Sequence, residues 1–353
     1  MTKETLIRFV EDGKPIEACS LEGLDCSDLD LSEVTFKEVT FIKINLSSSQ
    51  IIKAHLENCL FQEVSFDGMA FEKVHWQNLK FQNCSFVGSD LSHCDFSNIE
   101  FSESIFNAAN LSRATFSTST LTEVSFEVCD LKQTNFSGSK IINTTFLQCD
   151  LVSTNFFQTD MSNTKFLKSN LRKVVLMECS LKEQNFEGGT LHRVQFNGSD
   201  LSRTKFDEAD LTQCNFYQCN LSSCSFKNTK AHNVIFTQTH LKMADFSGAD
   251  LYQSNFDKAD LELTDFQDAN IQQGHFHSAL CKETNFKNAN AKYADFSHAT
   301  FEKVVLRGMN LSHGSVHALV LKESNLDDAI THALRKNDPD LLAAEQFTYT
   351  LRS

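Results

Sequence analysis

Every fifth residue from Ile16 to Leu326 is apolar, 63 positions without an exception or an insertion. The series begins Ile16, Leu21, Cys26, Leu31, Phe36, Phe41, Leu46, Ile51 and Leu56. A chain that is 41% hydrophobic does not produce such a run by chance. A helix repeats its buried face about every 3.6 residues and a strand every second residue, so a strict five fits neither. Heptad and eleven-residue repeats are excluded on the same ground. A fixed period of this kind decides the architecture before any element is assigned.

The flanking positions are constrained as well. Two residues before each centre the side chain is usually small, as at Ala109, Ala114, Ser119, Thr134, Ser139, Ala249 and Ala259. The residue just before the centre is often Asp or Asn, as at Asp90, Asp95, Asn110, Asp250, Asn255 and Asp260. The two residues after it vary and hold most of the Lys, Glu and Gln. The segment GADLYQSNFDKADLELTDFQDAN (248–270) shows the unit plainly.

This pattern resembles the pentapeptide repeat family, over about 310 of the 353 residues. The resemblance implies an all-β fold, a right-handed, four-sided parallel β-helix with one pentapeptide per side and 20 residues per coil. Residues i and i+20 then lie above one another, and coils pair at the usual strand spacing of ~4.8 Å. The repeat would form nearly 16 coils in a rod roughly 75 Å long, each coil touching only its neighbours. The expected divisions are an N-terminal helical cap at 1–15, an uninterrupted β-helix at 16–326, and a C-terminal helical cap and tail at 327–353. Length alone suggests two domains; the repeat predicts one structural unit.

Composition becomes legible in this frame. From Phe86 to Phe296 the centres ending in 6 are Phe at 21 of 22 positions, Leu176 being the other, and the centres between them are mostly Leu. Alternation puts Phe on two opposite sides. Of the 32 Phe, 29 stand at centres. Phe avoids the buried hydroxyl or indole N–H that Tyr or Trp would bring. Ten of the 12 Cys fall at the small position, and Cys26 and Cys281 at centres. All are expected inside as small hydrophobes, not as disulfides or zinc ligands. Free buried thiols suit a reducing compartment.

Little in the sequence points to chemistry. His55 and His75 should lie about 5 Å apart on successive coils, and His275 and His277 flank Phe276 outside, but neither pair brings a carboxylate or Cys with it. There is no phosphate-cradling Gly loop and no metal-binding helix motif. A convex rod offers no pocket that would bury a nucleophile beside its base. The chain is therefore read as a non-enzyme with no cofactor and no metal.

The outer surface is where function is expected. Apolar outward residues concentrate at Ile142, Leu147, Val152, Phe157, Leu167, Val175 and Met177, which predicts a mid-rod belt that contacts a partner or a second copy. Acidic outward residues gather at Asp245, Asp250, Asp260 and Asp265, a candidate acidic face. Open β-helix ends expose strand edges, so caps are expected. Residues 2–11 read as a helix with Leu6, Phe9 and Val10 on one face, stopped by Gly13 and Pro15. DDAITHALRKN (327–337) reads as a second helix turning Ile330, Ala333 and Leu334 inward. Asp338-Pro339 starts a further short helix, and FTYTLRS (347–353) is apolar enough to pack.

The first functional reading is a non-catalytic, rod-shaped protein–protein interaction scaffold of bacterial type. The resemblance implies two alternatives. One is an acidic DNA mimic that binds DNA gyrase or topoisomerase, as quinolone-resistance and mycobacterial members do. Against it, those relatives are shorter, the quinolone-resistance members carry loops that interrupt their coils, and here Lys and Arg interleave with the acids. The other is an accessory or effector of a bacterial secretion system such as type VI. The opening ETLIRFVEDGKPIEACSLEGLDCSDLDLS resembles the short helix, Gly, then repeat of pentapeptide proteins associated with that system. The expected partner is thus a protein, gyrase and secretion components included, or a second copy through the C-terminal cap or the mid-rod belt. With 46 acidic against 32 basic side chains, a formal charge of −14 disfavours direct contact with nucleic acid or an anionic membrane. The N-terminus carries acidic residues where a signal peptide needs an apolar stretch. The expected compartment is the cytoplasm, or outside the cell by a leaderless secretion route.

Overall fold

The computed structural model describes the backbone of residues 1–161 and 163–350, and the side chains of these through Glu345. The chain divides into two compact units, Met1–Ser180 and Leu181–Ser353. Each is a parallel β-solenoid, and together they carry about 15 turns.

In the first unit a helix, α1 (Lys3–Glu11), covers the start of the coils. Thr2 caps it, its hydroxyl accepting the Thr5 N–H at 3.3 Å. Leu6 is buried at 1% exposure. The helix closes where Gly13 N–H donates to the Val10 carbonyl and Lys14 N–H to the Phe9 carbonyl, both at 3.0 Å. Gly13 takes the left-handed conformation (φ 62°) that this closure requires.

The coils then follow the five-residue frame. Strands of three residues, such as Leu60–Gln62 and Lys80–Gln82, are centred on the apolar position. They pair in parallel at an offset of 20, with Phe41 beside Phe61, Phe61 beside Phe81 and Phe81 beside Phe101. On other sides a single residue pairs, as Asn110 does with Asp130.

Each residue type earns its place by one backbone task. On sides closed by a β-turn, the small residue that begins the next side returns its N–H to the preceding centre, as Ala114 does to Leu111 at 3.0 Å. The second residue after the centre has positive φ on side after side, for example Arg113 at 61°, Glu123 at 57° and Gln213 at 62°. That conformation costs a non-glycine residue about 1–2 kcal/mol. It aims the N–H along the solenoid, where Arg113 donates to Lys132 at 2.9 Å and Gln213 to His232 at 2.9 Å. The small position is also a donor. Thr134 Oγ1 donates to the Leu111 carbonyl at 2.8 Å, Thr154 to Leu131 at 2.7 Å and Cys214 Sγ to Leu191 at 2.7 Å, each reaching back 23 residues. Ser, Thr and Cys are thus interchangeable there: small enough to enter, and able to satisfy a buried carbonyl.

The rings stack as the alternation requires. In the first unit Phe86 lies on Phe106 at 4.7 Å between centroids and Phe96 on Phe116 at 4.9 Å. In the second, Phe206 lies on Phe226 at 4.9 Å and Phe216 on Phe236 at 5.2 Å. The first unit holds a further stack, Phe41, Phe61, Phe81 and Phe101, at spacings of 4.5 to 4.8 Å. Trp76 takes a centre among the Phe, and its buried indole N–H is directed at the Cys94 thiol. Cys19 is half-buried and the remaining 11 cysteines are buried; all are free thiols.

At the end of the second unit the structure corrects one expectation. Residues 327–337 do not form a helix; the coil continues through them, with Ile330 paired to Asn310 and Arg335 to Ser315. Backbone pairing to the coil before outweighs the local helical preference, and Ala333 takes the positive φ of its frame position, 49°. Ile330 accordingly faces outward at 52% exposure, and Ala333 is exposed. A helix follows, α2 (Pro339–Thr350). Asp338 caps it, its carboxylate accepting the N–H of Asp340 at 3.0 Å and of Leu341 at 3.2 Å. The packing expected of 347–353 lies outside the described side chains. Among the described residues no helix is long and apolar enough to cross a membrane.

Candidate functional site

The apolar candidates all sit one place after a centre, except Val175, which sits one place before. The register sorts them onto different sides of the first unit. Leu147 pairs with Leu167 on one side. Phe157 and Met177 share another, where Gln158 N–H donates to the Met177 carbonyl at 3.0 Å, and Val175 lies on that side too. Ile142 and Val152 occupy the remaining two sides. The belt therefore runs around the coils, and its two stacked pairs face opposite ways. Leu167 is the most open, at 44% exposure. The other candidates are half-buried.

Further exposed apolar residues escaped the sequence reading. Val128, at 56% exposure, lies in the first unit. Met243 at 57% and Leu263 at 41% lie one coil apart in the second. All three occupy the positive-φ position (φ 59°, 62° and 58°). That corner points away from the core, and its occupants looked arbitrary in sequence because no burial constrains them.

Three of the four acidic candidates turn out to be committed to the backbone, and Asp250 to neighbouring side chains. Asp245 accepts the Ser247 N–H at 2.9 Å, Asp260 that of Glu262 at 3.2 Å and Asp265 that of Gln267 at 2.8 Å. These are Asx turns, repeated at the position before the centre. Asp250 and Asp265 also accept the side-chain amides of Asn270 and Asn285 from the next coil, at 2.8 and 2.9 Å. Asp245 pairs with Lys227 at 3.1 Å, and Asp250 with His232 at 2.5 Å. Burial disfavours the charge on Asp245, yet the bonds from Ser247 and Lys227 prevail and hold its carboxyl below the ordinary range.

Charge on the outer positions alternates along the coils. Glu262 stands between Lys242 at 2.9 Å and Lys282 at 3.3 Å, each a full coil away. Lys37 and Glu57, Lys80 and Glu100, and Glu183 and Arg203 repeat the same i, i+20 arrangement. Such exposed pairs are each worth little, ~0–1 kcal/mol. Their effect is to break up the negative potential that the net charge suggests.

A cleft of about 470 Å³ lies between residues 70–74 and 90–95. Its carboxylates serve turns and a neighbour: Asp90 accepts from Ser92 at 3.1 Å, Asp95 from Ser97 at 3.0 Å, and Glu72 pairs with Lys73 at 3.1 Å.

Two groups of histidine rings bear on a candidate site. His55 and His75 stack at 4.5 Å, close to the coil spacing anticipated for them. His277 meets a second group that the sequence did not reveal, its ring 4.9 Å from that of His298. Beyond it, His298, His317 and Glu345 converge within 4.8 Å of one another. His298 and His317 are 19 apart, which the frame makes neighbours on successive coils. Glu345 joins them only through the docking of α2, which no spacing encodes.

The family profile described as pentapeptide repeat region matches residues 16–90, 54–136, 119–196, 139–216 and 189–264, and that for pentapeptide repeats (8 copies) matches 279–314. The chain belongs to the pentapeptide repeat family. No curated protein matches it in sequence. Among solved structures it is similar to HetL, a pentapeptide repeat protein involved in heterocyst differentiation regulation in the cyanobacterium Nostoc, at 16% identity over 88% of this chain and 96% of that one, TM-score 0.24. It is also similar to QnrB1, a plasmid-mediated fluoroquinolone resistance protein, at 19% identity over 69% and 92%, TM-score 0.26. A third is Rfr23 from the cyanobacterium Cyanothece, at 18% identity over 47% and 86%, TM-score 0.14. At such identities and scores the family assignment rests on the sequence profiles.

Proposed function

We propose that the chain is a non-catalytic scaffold for protein–protein interaction, acting in a reducing compartment such as the bacterial cytoplasm. One observation carries the reading. The i, i+20 register turns each outward position into a ladder, and on one side of the first unit that ladder is the apolar pair Leu147 and Leu167, the latter 44% exposed. Apolar side chains stacked at strand spacing, here the exposed Leu167 on the half-buried Leu147, form a contact strip that an aliphatic or aromatic partner surface can cover. Eleven buried free thiols fit the reducing compartment.

The DNA-mimic alternative asks for a face of continuous negative charge. The Lys242, Glu262, Lys282 alternation and the use of Asp245, Asp250, Asp260 and Asp265 in turns and pairs weigh against it. The test replaces Leu147, Phe157 and Leu167 with Ser. Partners or second copies crosslinked by the native chain should be lost from the variant while its far-UV circular dichroism and melting stay native. Retention of every crosslinked species by the variant sinks the reading, and supercoiling by purified gyrase inhibited at low micromolar native protein would revive the alternative.

A further inference from the structure

We propose that His298, His317 and Glu345 form a site for a divalent transition metal of the zinc class, which fastens α2 to the last coils. His298 stands at the positive-φ corner after Phe296 (φ 60°), and His317 follows the centre Val316 one coil on. The His298 N–H donates to the His317 carbonyl at 2.8 Å, which fixes the two backbones side by side. Glu345 arrives from α2. Its Oε1 lies 3.2 Å from His298 Nε2 and its Oε2 lies 3.4 Å from His317 Nε2.

The two carboxylate–imidazole separations are those of a coordination shell, and one ligand atom from each of the three residues lies within 4.8 Å of the others, so a small rotation of the side chains brings all three around one ion. Zinc bound tetrahedrally at about 2.0–2.1 Å from each ligand holds its ligand atoms about 3.3 Å apart. Two imidazoles and one carboxylate favour zinc, cobalt or nickel over the oxygen-seeking magnesium and calcium. Three protein ligands leave one position open for water or a partner's side chain. His317 is 6% exposed, and the His277 ring packed at 4.9 Å limits the rotation of His298.

One contact opposes loading and makes it detectable. Asp338 N–H donates to His317 Nδ1 at 3.2 Å, so the neutral ring carries its proton on Nε2 and gives it to Glu345. A metal on Nε2 moves that proton to Nδ1, and the Asp338 N–H must turn away. Metal binding is thereby coupled to the first turn of α2.

Cobalt(II) is the probe. Titrated into the full chain, one equivalent should raise the visible bands of four-coordinate cobalt, and zinc should bleach them. In E345Q and in H317A the bands should vanish, or half-saturation should shift by at least about 10-fold. H55A, which removes one ring of the stacked His55 and His75 pair far from Glu345 in the sequence, should titrate as the native chain does. Because Glu345 lies outside the coils, E345Q should keep native far-UV circular dichroism, so its result reads the ligand and not the fold. No visible bands, equal titration of E345Q, H317A and the native chain, or loss of the bands in H55A overturns the site.

Discussion

The rings of Phe226 and Phe246 lie 4.5 Å apart with their planes 7° from parallel, although 20 residues of chain separate them. Phe206 continues the stack on the other side at 4.9 Å, and Phe226 itself is fully buried. Phe226→Ala should lower stability by about 3–5 kcal/mol through lost transfer energy and a residual cavity. Coils touch only their neighbours, so the loss of amide protection should centre on the coils around Phe226. Urea unfolding and hydrogen exchange read both. A loss below about 1 kcal/mol would show that the column relaxes into the gap.

Val128 should be a place where stability can be gained. It is β-branched, 56% exposed, and held at φ 59° by the bond from its N–H to the Leu147 carbonyl at 2.9 Å. Asn tolerates that conformation and Val does not. Val128→Asn should raise the unfolding free energy by about 1 kcal/mol, and a lower melting temperature than the native chain would refute the strain argument.

Burial pushes the thiols of Cys84, Cys94, Cys179, Cys219 and Cys224 up to about 12, and that of Cys59 to about 11. At pH 8 they are protonated and shielded, hence poor nucleophiles. Iodoacetamide should label Cys19 at most in the native chain and all 12 cysteines after denaturation. Mass spectrometry counts the adducts; several labelled cysteines without denaturant would contradict the packing.

Acid should weaken the second unit through its turn-capping carboxylates. Burial works against ionised Asp245, but Ser247 and Lys227 outweigh it and depress the folded pKa below the unfolded value, about 3.9. A depressed carboxylate contributes stability that is complete above the unfolded pKa and is lost as pH falls through the folded one. The urea midpoint should therefore drop between about pH 5 and pH 3. Asp245→Asn should lower it at neutral pH and shrink the drop. An Asp245→Asn curve parallel to the native one across that range would remove Asp245 from the account.

The sequence displayed most of this fold because a β-solenoid spends one apolar residue per side, and 63 such residues at a strict spacing can stack in few ways. The Phe stacks, the inward cysteines and α1 could be read directly for that reason. The Phe41 to Phe101 stack is harder to read, because its members stand at centres ending in 1, which are mostly Leu once the alternation is established. Residues 327–337 were misjudged as a helix: their local preference is real, but pairing of Ile330 and Arg335 with the coil before them decides their conformation. The cluster of acidic candidates is legible in the sequence but the turn bonds of Asp245, Asp260 and Asp265 are not, since an Asp at a turn looks the same in sequence whether it faces a partner or its own backbone. His298, His317 and Glu345 are joined by the docking of a helix, and a periodic pattern carries no information about that.

The register also governs how such a chain can change length. Removing residues 246–250 would leave the apolar frame intact, because one whole pentapeptide goes. Yet Phe266 would then rest on Leu241 instead of Phe246, and Glu262 on Thr237 instead of Lys242. Every side beyond the cut would be rotated by a quarter of a coil. Removing 20 residues restores each stack and each outward neighbour. The five-residue unit is what builds the core, but the heritable step that preserves a binding face is the whole coil, so relatives that share a partner should differ in length by multiples of 20.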